Sequence, residues 1–332
     1  MTLLFLTGQF LAGFVLLVAG AEFLVRGASR IAATLRIPAA VIGLTVVAFG
    51  TSLPELVVSL TASLSGEGND IAIGNIVGSN IANLGLILGL CGLIATLAVK
   101  ASFTQREIPL LIGVSVIFTF MAMFDGSIGR IDGLILVAGL IVFEIFSFRA
   151  ATREREFGEE LVETVEAAEN IDDRIATPSQ QLWFDVLLII LGIVGLVVGA
   201  DWLVDAATAM ARVLNVPELI IGLTLVAVGT SLPEVATSLV AVVRKNGDIA
   251  IANVLGSNLF NILGIAGITA VVSPIAVPPS MIVSSFLPML GFTALVAVLA
   301  WPKPNDIKRW EAGLLLALYL AYTVWLVFFS AG

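Results

Sequence analysis

The apolar residues of this 332-residue chain fall into ten long stretches, roughly 3–25, 38–64, 71–98, 107–124, 131–148, 182–204, 217–243, 249–272, 280–300 and 310–330. About twenty apolar residues in helical conformation match the ~30 Å hydrocarbon core of a bilayer, whereas barrel strands would show segments of about ten residues in alternation. The expected fold is therefore an all-α polytopic membrane protein with ten transmembrane helices. Composition agrees: 59% of residues are hydrophobic and 12% charged, against ~45–50% and ~25% in soluble domains. That balance excludes an ordinary soluble domain, a nucleic-acid binder and a disordered chain. The first stretch has no basic segment before it and meets its first positive charge at Arg26, so it reads as a span rather than a cleaved leader.

Short loops rich in lysine and arginine stay on the cytoplasmic side. With the N-terminus outside, the inward loops collect Arg26, Arg30 and Arg36; Lys100 and Arg106; Arg149, Arg153, Arg155 and Arg174; Arg244 and Lys245; and Lys303, Lys308 and Arg309. Only Arg130 and Arg212 remain outside. This asymmetry predicts both termini outside the cell (inner or plasma) membrane, and an acidic cytoplasmic loop at 149–181. Most of the formal net charge of -9 sits in that loop, which reads as a solvated linker.

The chain also repeats itself. Gly43 to Glu55 (GLTVVAFGTSLPE) returns at Gly222 to Glu234 (GLTLVAVGTSLPE) with 11 of 13 positions identical, and Asp70 to Asn83 returns at Asp248 to Asn261 with 9 of 14. Gly20, Glu22 and Pro38 likewise correspond to Gly199, Asp201 and Pro217. Residues 1–148 and 182–332 would each hold five spans, and an odd number makes equivalent helices cross the membrane in opposite directions. Inverted repeats of this kind let a transporter rock between mirror-related states around a site at the bilayer midplane.

Glu55 and Glu234 lie inside apolar spans that contain no lysine or arginine. An ionisable residue there costs roughly 2.5–3.5 kcal/mol on insertion scales unless it faces a polar interior. The preceding prolines, Pro54 and Pro233, remove an amide donor and loosen the turn holding the carbonyls of Ala48, Gly50, Ala227 and Gly229. Thr51, Ser52 and Glu55 lie at i, i+1 and i+4, so their oxygens should gather on one face of the broken turn, and Thr230, Ser231 and Glu234 repeat the pattern. In the second block Ser79 and Asn83, and again Ser257 and Asn261, are four residues apart on one helical face. Gly78 and Gly256 before them would allow a close helix approach. Asn80 and Asn258 read as packing amides, as do Gly74, Gly85, Gly89 and Gly264 as packing glycines.

Two bidentate glutamates and two amide oxygens supply six hard ligands, with hydroxyls and carbonyls in reserve. Calcium takes 6–8 oxygens in irregular geometry at about 2.3–2.6 Å, and magnesium prefers to keep several waters. The chain has no histidine and one cysteine, Cys91, so disulfides and zinc, copper or nickel sites are not expected, nor any cofactor. Two carboxylates balance one Ca²⁺ or two Na⁺. Competition for one cage is the physical basis of exchange.

These blocks resemble the two signature repeats of the cation/Ca²⁺ exchanger superfamily, in particular prokaryotic Na⁺/Ca²⁺ exchanger-like proteins. The resemblance covers essentially the whole chain. It implies that Thr51, Ser52, Glu55, Ser79 and Asn83, with the Ala48 carbonyl, line one half of an ion site, and that Thr230, Ser231, Glu234, Ser257 and Asn261, with the Ala227 carbonyl, line the other. Some family members carry aspartate where this chain has Asn261, so the cage here has two carboxylates, which leaves the Na⁺ count, K⁺ involvement and electrogenicity open. The 149–181 segment is too short for the calcium-sensing domains of larger animal exchangers.

The expected activity is Ca²⁺/Na⁺ antiport by alternating access, extruding calcium, with a monomer as functional unit and the bilayer as its surroundings. A Ca²⁺/H⁺ antiporter of the same fold is the near alternative, and a cation channel a more distant one. An enzyme is not expected, since an intramembrane hydrolase would need a nucleophile–base pair that the chain lacks.

Overall fold

The computed structural model describes residues 3–35, 37–64, 69–169, 179–213, 229–301 and 306–329. Among them, seven helices are long and apolar enough to cross a membrane: α1 (Leu4–Leu35), α4 (Asp70–Ile94), α5 (Phe103–Asp125), α6 (Arg130–Ala150), α7 (Leu182–Val213), α9 (Gly247–Val272) and α10 (Pro279–Ala300). A bent pair, α2 (Ala39–Thr51) and α3 (Leu53–Leu64), meets the same criterion jointly. Two expected spans appear differently. The stretch at 217–243 is represented by α8 (Leu232–Val243), because 214–228 lie outside the described residues, and the last stretch by the 21-residue α11 (Arg309–Phe329).

Several helices outrun their apolar stretches. The helix of α1 reaches Leu35 and that of α7 reaches Val213. The helix begun at Arg130 continues to Glu169, into the segment expected to be a loop. The reason is compositional: 149–169 is rich in Glu, Ala and Arg, strong helix formers that need no apolar face to stay helical. Among the described residues, the regular structure is helical except for four two-residue strands. Leu97–Ala98 pairs antiparallel with Asp306–Ile307, and Ser127–Ile128 with Ile275–Ala276. Each pair joins the first half of the chain to the second, at interchanged positions.

Two helices form the centre. Of the apolar window, 78% is buried in α4 and 89% in α9, against 22% in α6 and 28% in α1 and α10. Outer helices present large apolar side chains outward, such as Phe120, Phe124, Val142 and Trp183, a surface that a bilayer solvates and water does not.

The apolar interior divides into two clusters. One gathers the central helices. The other joins α1 and α7 through Leu17, Leu24, Ile189 and Leu196, and reaches Val47 on α2 and Ala236 on α8. In membranes, helices pack tightly where small residues let backbones approach, and α1 and α7 do so along their length. A Cβ at Gly20 would lie 2.6 Å from the Leu196 amide nitrogen, and one at Gly199 2.5 Å from that of Leu17. Both obstacles are backbone, which cannot step aside. Gly20→Val should therefore separate the pair and cost about 1–3 kcal/mol, visible as a lowered thermal midpoint of the purified protein in detergent. An unchanged midpoint would show that α1 and α7 are not seated on each other in this way.

Candidate functional site

The break between α2 and α3 falls at Ser52, two residues before Pro54. Pro54 has no N–H to give to the Gly50 carbonyl, and the chain bends by 44° there. Ser52 has φ -87° and ψ 8°. Ser231, before Pro233 in the second half, has φ -88° and ψ 4°. The same dipeptide thus imposes the same conformation twice, and in each case α3 or α8 starts with a glutamate in its first turn.

These two glutamates are each 1% exposed. The hydroxyl of Ser52 donates to Glu234 Oε1 at 2.9 Å, and that of Ser231 to Glu55 Oε1 at 3.2 Å. Each serine serves the carboxylate of the other half, although its own glutamate is only three residues further along the chain. Ser79 Oγ lies 3.4 Å from Ser231 Oγ and is placed to donate to it, since the Ser231 proton goes to Glu55, which ties α4 to the cluster, and Asn83 Nδ2 donates to Asn258 Oδ1 at 3.1 Å, which ties α4 to α9.

What the cluster leaves unpaired is more informative. Glu55 Oε2, Glu234 Oε2, Asn83 Oδ1, Asn261 Oδ1 and Ser257 Oγ are buried and find no hydrogen-bond partner among the described residues. An unsatisfied buried polar atom costs about 1–3 kcal/mol, more when charged, and native interiors hold few. Here the four carboxylate and amide atoms are oxygens that only accept, which is what a cation requires. Another buried glutamate, Glu107, differs in having a permanent counter-charge, the Arg106 guanidinium 2.6 Å from its Oε1.

Thr51, Ser52, Ser79, Asn83, Ser231, Ser257 and Asn261 are all buried, and Thr230 is partly so. The Ala48 carbonyl keeps its helical donor, the Ser52 amide at 3.1 Å, and lies 3.3 Å from Thr51 Oγ1, as one of the alternative acceptors for that hydroxyl's single proton. Ala227 lies outside the described residues. Gly256 makes the expected close approach, a Cβ there falling 2.5 Å from the Leu44 carbonyl, whereas no described atom lies within 4 Å of a Cβ at Gly78. Leu223, the counterpart of Leu44, is outside the described residues. Asn80 donates to the Ile76 carbonyl of its own helix, and its Oδ1 has no partner among the described residues, so no bond of a packing amide to a second helix is seen, while Asn258 is drawn into the cluster through Asn83.

Two features were not anticipated. Asn83 opens a π-helical turn, Asn83–Ile87, and Asn261 lies in another, Phe260–Ala266. Such turns widen the helix and recur at functional sites, but nothing in side-chain type announces them. Asn75 and Asn253 also join the cluster: Thr230 Oγ1 donates to Asn75 Oδ1 and Thr51 Oγ1 to Asn253 Oδ1, both at 3.3 Å. The signal available was an amide kept at the same place in both copies.

A family model described as sodium/calcium exchanger protein matches residues 5–149 and again 184–328. The chain belongs to the sodium/calcium exchanger family. Over 328 residues it is 36% identical to the inner membrane protein YrbG of Escherichia coli, covering 98% of each chain. It is 32% identical to the sodium/calcium exchanger MaX1 of Methanosarcina acetivorans, covering 95% of this chain and 96% of that one. Among solved structures, the sodium-calcium exchanger NCX_Mj superposes with a TM-score of 0.82 at 30% identity, over 97% of this chain and 99% of the other. The family is one of transporters of Na⁺ and Ca²⁺ in membranes, in keeping with the unpaired carboxylate and amide oxygens of the cluster.

If the serine hydroxyls hold buried carboxylates, removing one should register in stability. Ser52→Ala or Ser231→Ala should cost about 1.5–3 kcal/mol, the range for hydrogen bonds to charged groups, measured as a shift in thermal midpoint without added cations. A shift below a few tenths would mean that the carboxylates are held otherwise.

Proposed function

We propose that this chain is a secondary active antiporter that exchanges Ca²⁺ for Na⁺ by alternating access and carries calcium out of the cytoplasm. The observation that carries this reading is the set of orphaned acceptor oxygens on Glu55, Glu234, Asn83 and Asn261, drawn equally from the two halves. A dehydrated cation entering the cluster satisfies all four and neutralises the two carboxylates. One Ca²⁺ balances their charge, as do two Na⁺, so each ion expels the other. The neutral oxygens of Thr51, Ser52, Ser79, Thr230, Ser231 and Ser257, with the carbonyls of Ala48 and Ala227, complete the coordination as the ion changes.

Ten transmembrane helices arranged as two inverted five-helix repeats, 1–148 and 182–332, joined through 149–181, supply the symmetry that alternating access needs. The double match of one family model supports this, since its two segments are displaced by 179 residues at both ends, 5 to 184 and 149 to 328. The distribution of lysine and arginine supports both termini lying outside.

Everted membrane vesicles should accumulate ⁴⁵Ca²⁺ when loaded with Na⁺ and diluted into Na⁺-free medium, and should not do so with a pH gradient alone. Uptake driven only by the pH gradient would replace Na⁺ by H⁺ as counter-ion, and single-channel currents would indicate a pore. Glu55→Gln and Glu234→Gln keep size and remove charge. Because calcium affinity follows the number of charged ligands, each should reduce uptake ~100-fold or more at an undiminished amount of protein in the membrane. Near-normal uptake in both would remove these carboxylates from the site.

A further inference from the structure

Asn75 and Asn253 sit beside the ion cluster without offering it an obvious ligand, and their hydrogen bonds show what they do instead. The amide nitrogen of Asn75, on α4, lies 3.1 Å from the Glu55 carbonyl and 2.9 Å from Ser59 Oγ. A carbonyl can only accept, so the nitrogen must face Glu55, and Oδ1 is turned toward Thr230, whose hydroxyl donates to it. Asn253, on α9, repeats the serine and threonine contacts in the other half, without a counterpart, among the described residues, of the Asn75 bond to a glutamate carbonyl. It is fully buried, its nitrogen donates to Ser238 Oγ at 3.0 Å, and its Oδ1 receives the Thr51 hydroxyl. Ser59 and Ser238 are themselves repeat equivalents.

The proton of Thr51 has two other acceptors within reach, the Ala48 carbonyl at 3.3 Å and the carboxylate of Glu234. Both belong to the proposed ion cage. A hydroxyl proton directed to either would occupy a lone pair that the cation needs, and on Glu234 it would offset part of the charge that attracts the cation. Directed to Asn253, it leaves both oxygens free and turns the lone pairs of Thr51 toward the cage. We propose that Asn75 and Asn253 are positioning residues that draw the protons of Thr230 and Thr51 away from the cage, each acting on a threonine of the opposite half and so setting the affinity for the transported cation. This deepens the exchanger reading and rests on it. The division of labour is then complete: serine hydroxyls donate to the carboxylates and hold them, while threonine hydroxyls donate to the asparagines and remain open to the ion.

The test is a double-mutant cycle on the full-length protein purified in detergent, read as the Ca²⁺ concentration giving half-maximal thermal stabilisation in a CaCl₂ titration. Asn253→Leu should raise that concentration about threefold to tenfold, the worth of one hydrogen bond, and should add nothing further in a Thr51→Val background. Asn75→Leu should behave likewise, with Thr230→Val as its background. The midpoint without Ca²⁺ separates affinity from folding: a merely structural amide lowers that midpoint and leaves the Ca²⁺ dependence unchanged. An unchanged Ca²⁺ dependence, or an effect that persists undiminished beside Thr51→Val, would overturn the proposal. So would failure of both asparagine variants to fold, since the amides would then be holding helices rather than hydroxyls. Wild-type protein that neither binds nor transports Ca²⁺ would instead refute the exchanger reading itself.

Discussion

Two carboxylates buried in an apolar interior, without a basic partner in their own spans, are the constraint from which the rest of this structure follows. Removing an ion from water costs several kcal/mol even after relaxation. The protein meets that cost for Glu107 with an adjacent arginine. For Glu55 and Glu234 it supplies one serine hydroxyl each and leaves the second oxygen open. A permanent counter-charge would stabilise the carboxylates but would also fill the place of a mobile cation. The broken turns at Ser52 and Ser231 and the asparagines at the π turns of α4 and α9 present oxygens to the same cluster.

The cluster is built by exchange between halves. Ser52 serves Glu234, Ser231 serves Glu55, Thr51 reaches Asn253, Thr230 reaches Asn75, and Asn83 reaches Asn258. Neither half forms the cluster alone. The arrangement therefore exists only while α4 and α9 are packed together, and these are the most deeply buried of the seven long spans among the described residues. Outside this core, α1 and α7 form a separate apolar cluster that touches α2 and α8 near the glutamate-bearing turns. Their glycine-lined contact holds the two helices to each other more closely than side chains would permit.

Much of this was legible in the chain because membrane insertion leaves strong traces. Apolar length marked the seven long spans and the bent pair among the described residues, and the Pro-Glu pair at 54–55 marked the break between α2 and α3, since a proline beside a charge survives at that depth only where a polar interior receives both. What sequence concealed was of two kinds. Helix ends were misjudged where polar residues continue a helix beyond the bilayer, as from Arg149 to Glu169, because the apolar pattern stops while the backbone preference does not. Contacts across the halves stayed hidden because spacing of three or four residues speaks only of neighbours on one helix. It grouped the oxygens of Thr51, Ser52 and Glu55 on one face, whereas the Ser52 hydroxyl bonds Glu234, and it gave no means of seeing that Asn75 and Asn253 would meet threonines 155 and 202 residues away.

The central claim concerns a cation held between two duplicated carboxylates, and a diffraction experiment on crystals soaked in Ca²⁺ addresses it without the intermediary of transport kinetics. Anomalous density should show an ion coordinated by carboxylate oxygens of both Glu55 and Glu234 at about 2.3–2.6 Å, with the amide oxygens of Asn83 and Asn261 turned toward the occupied cluster. Density at another place, or carboxylates that stay unligated at saturating Ca²⁺, would contradict it.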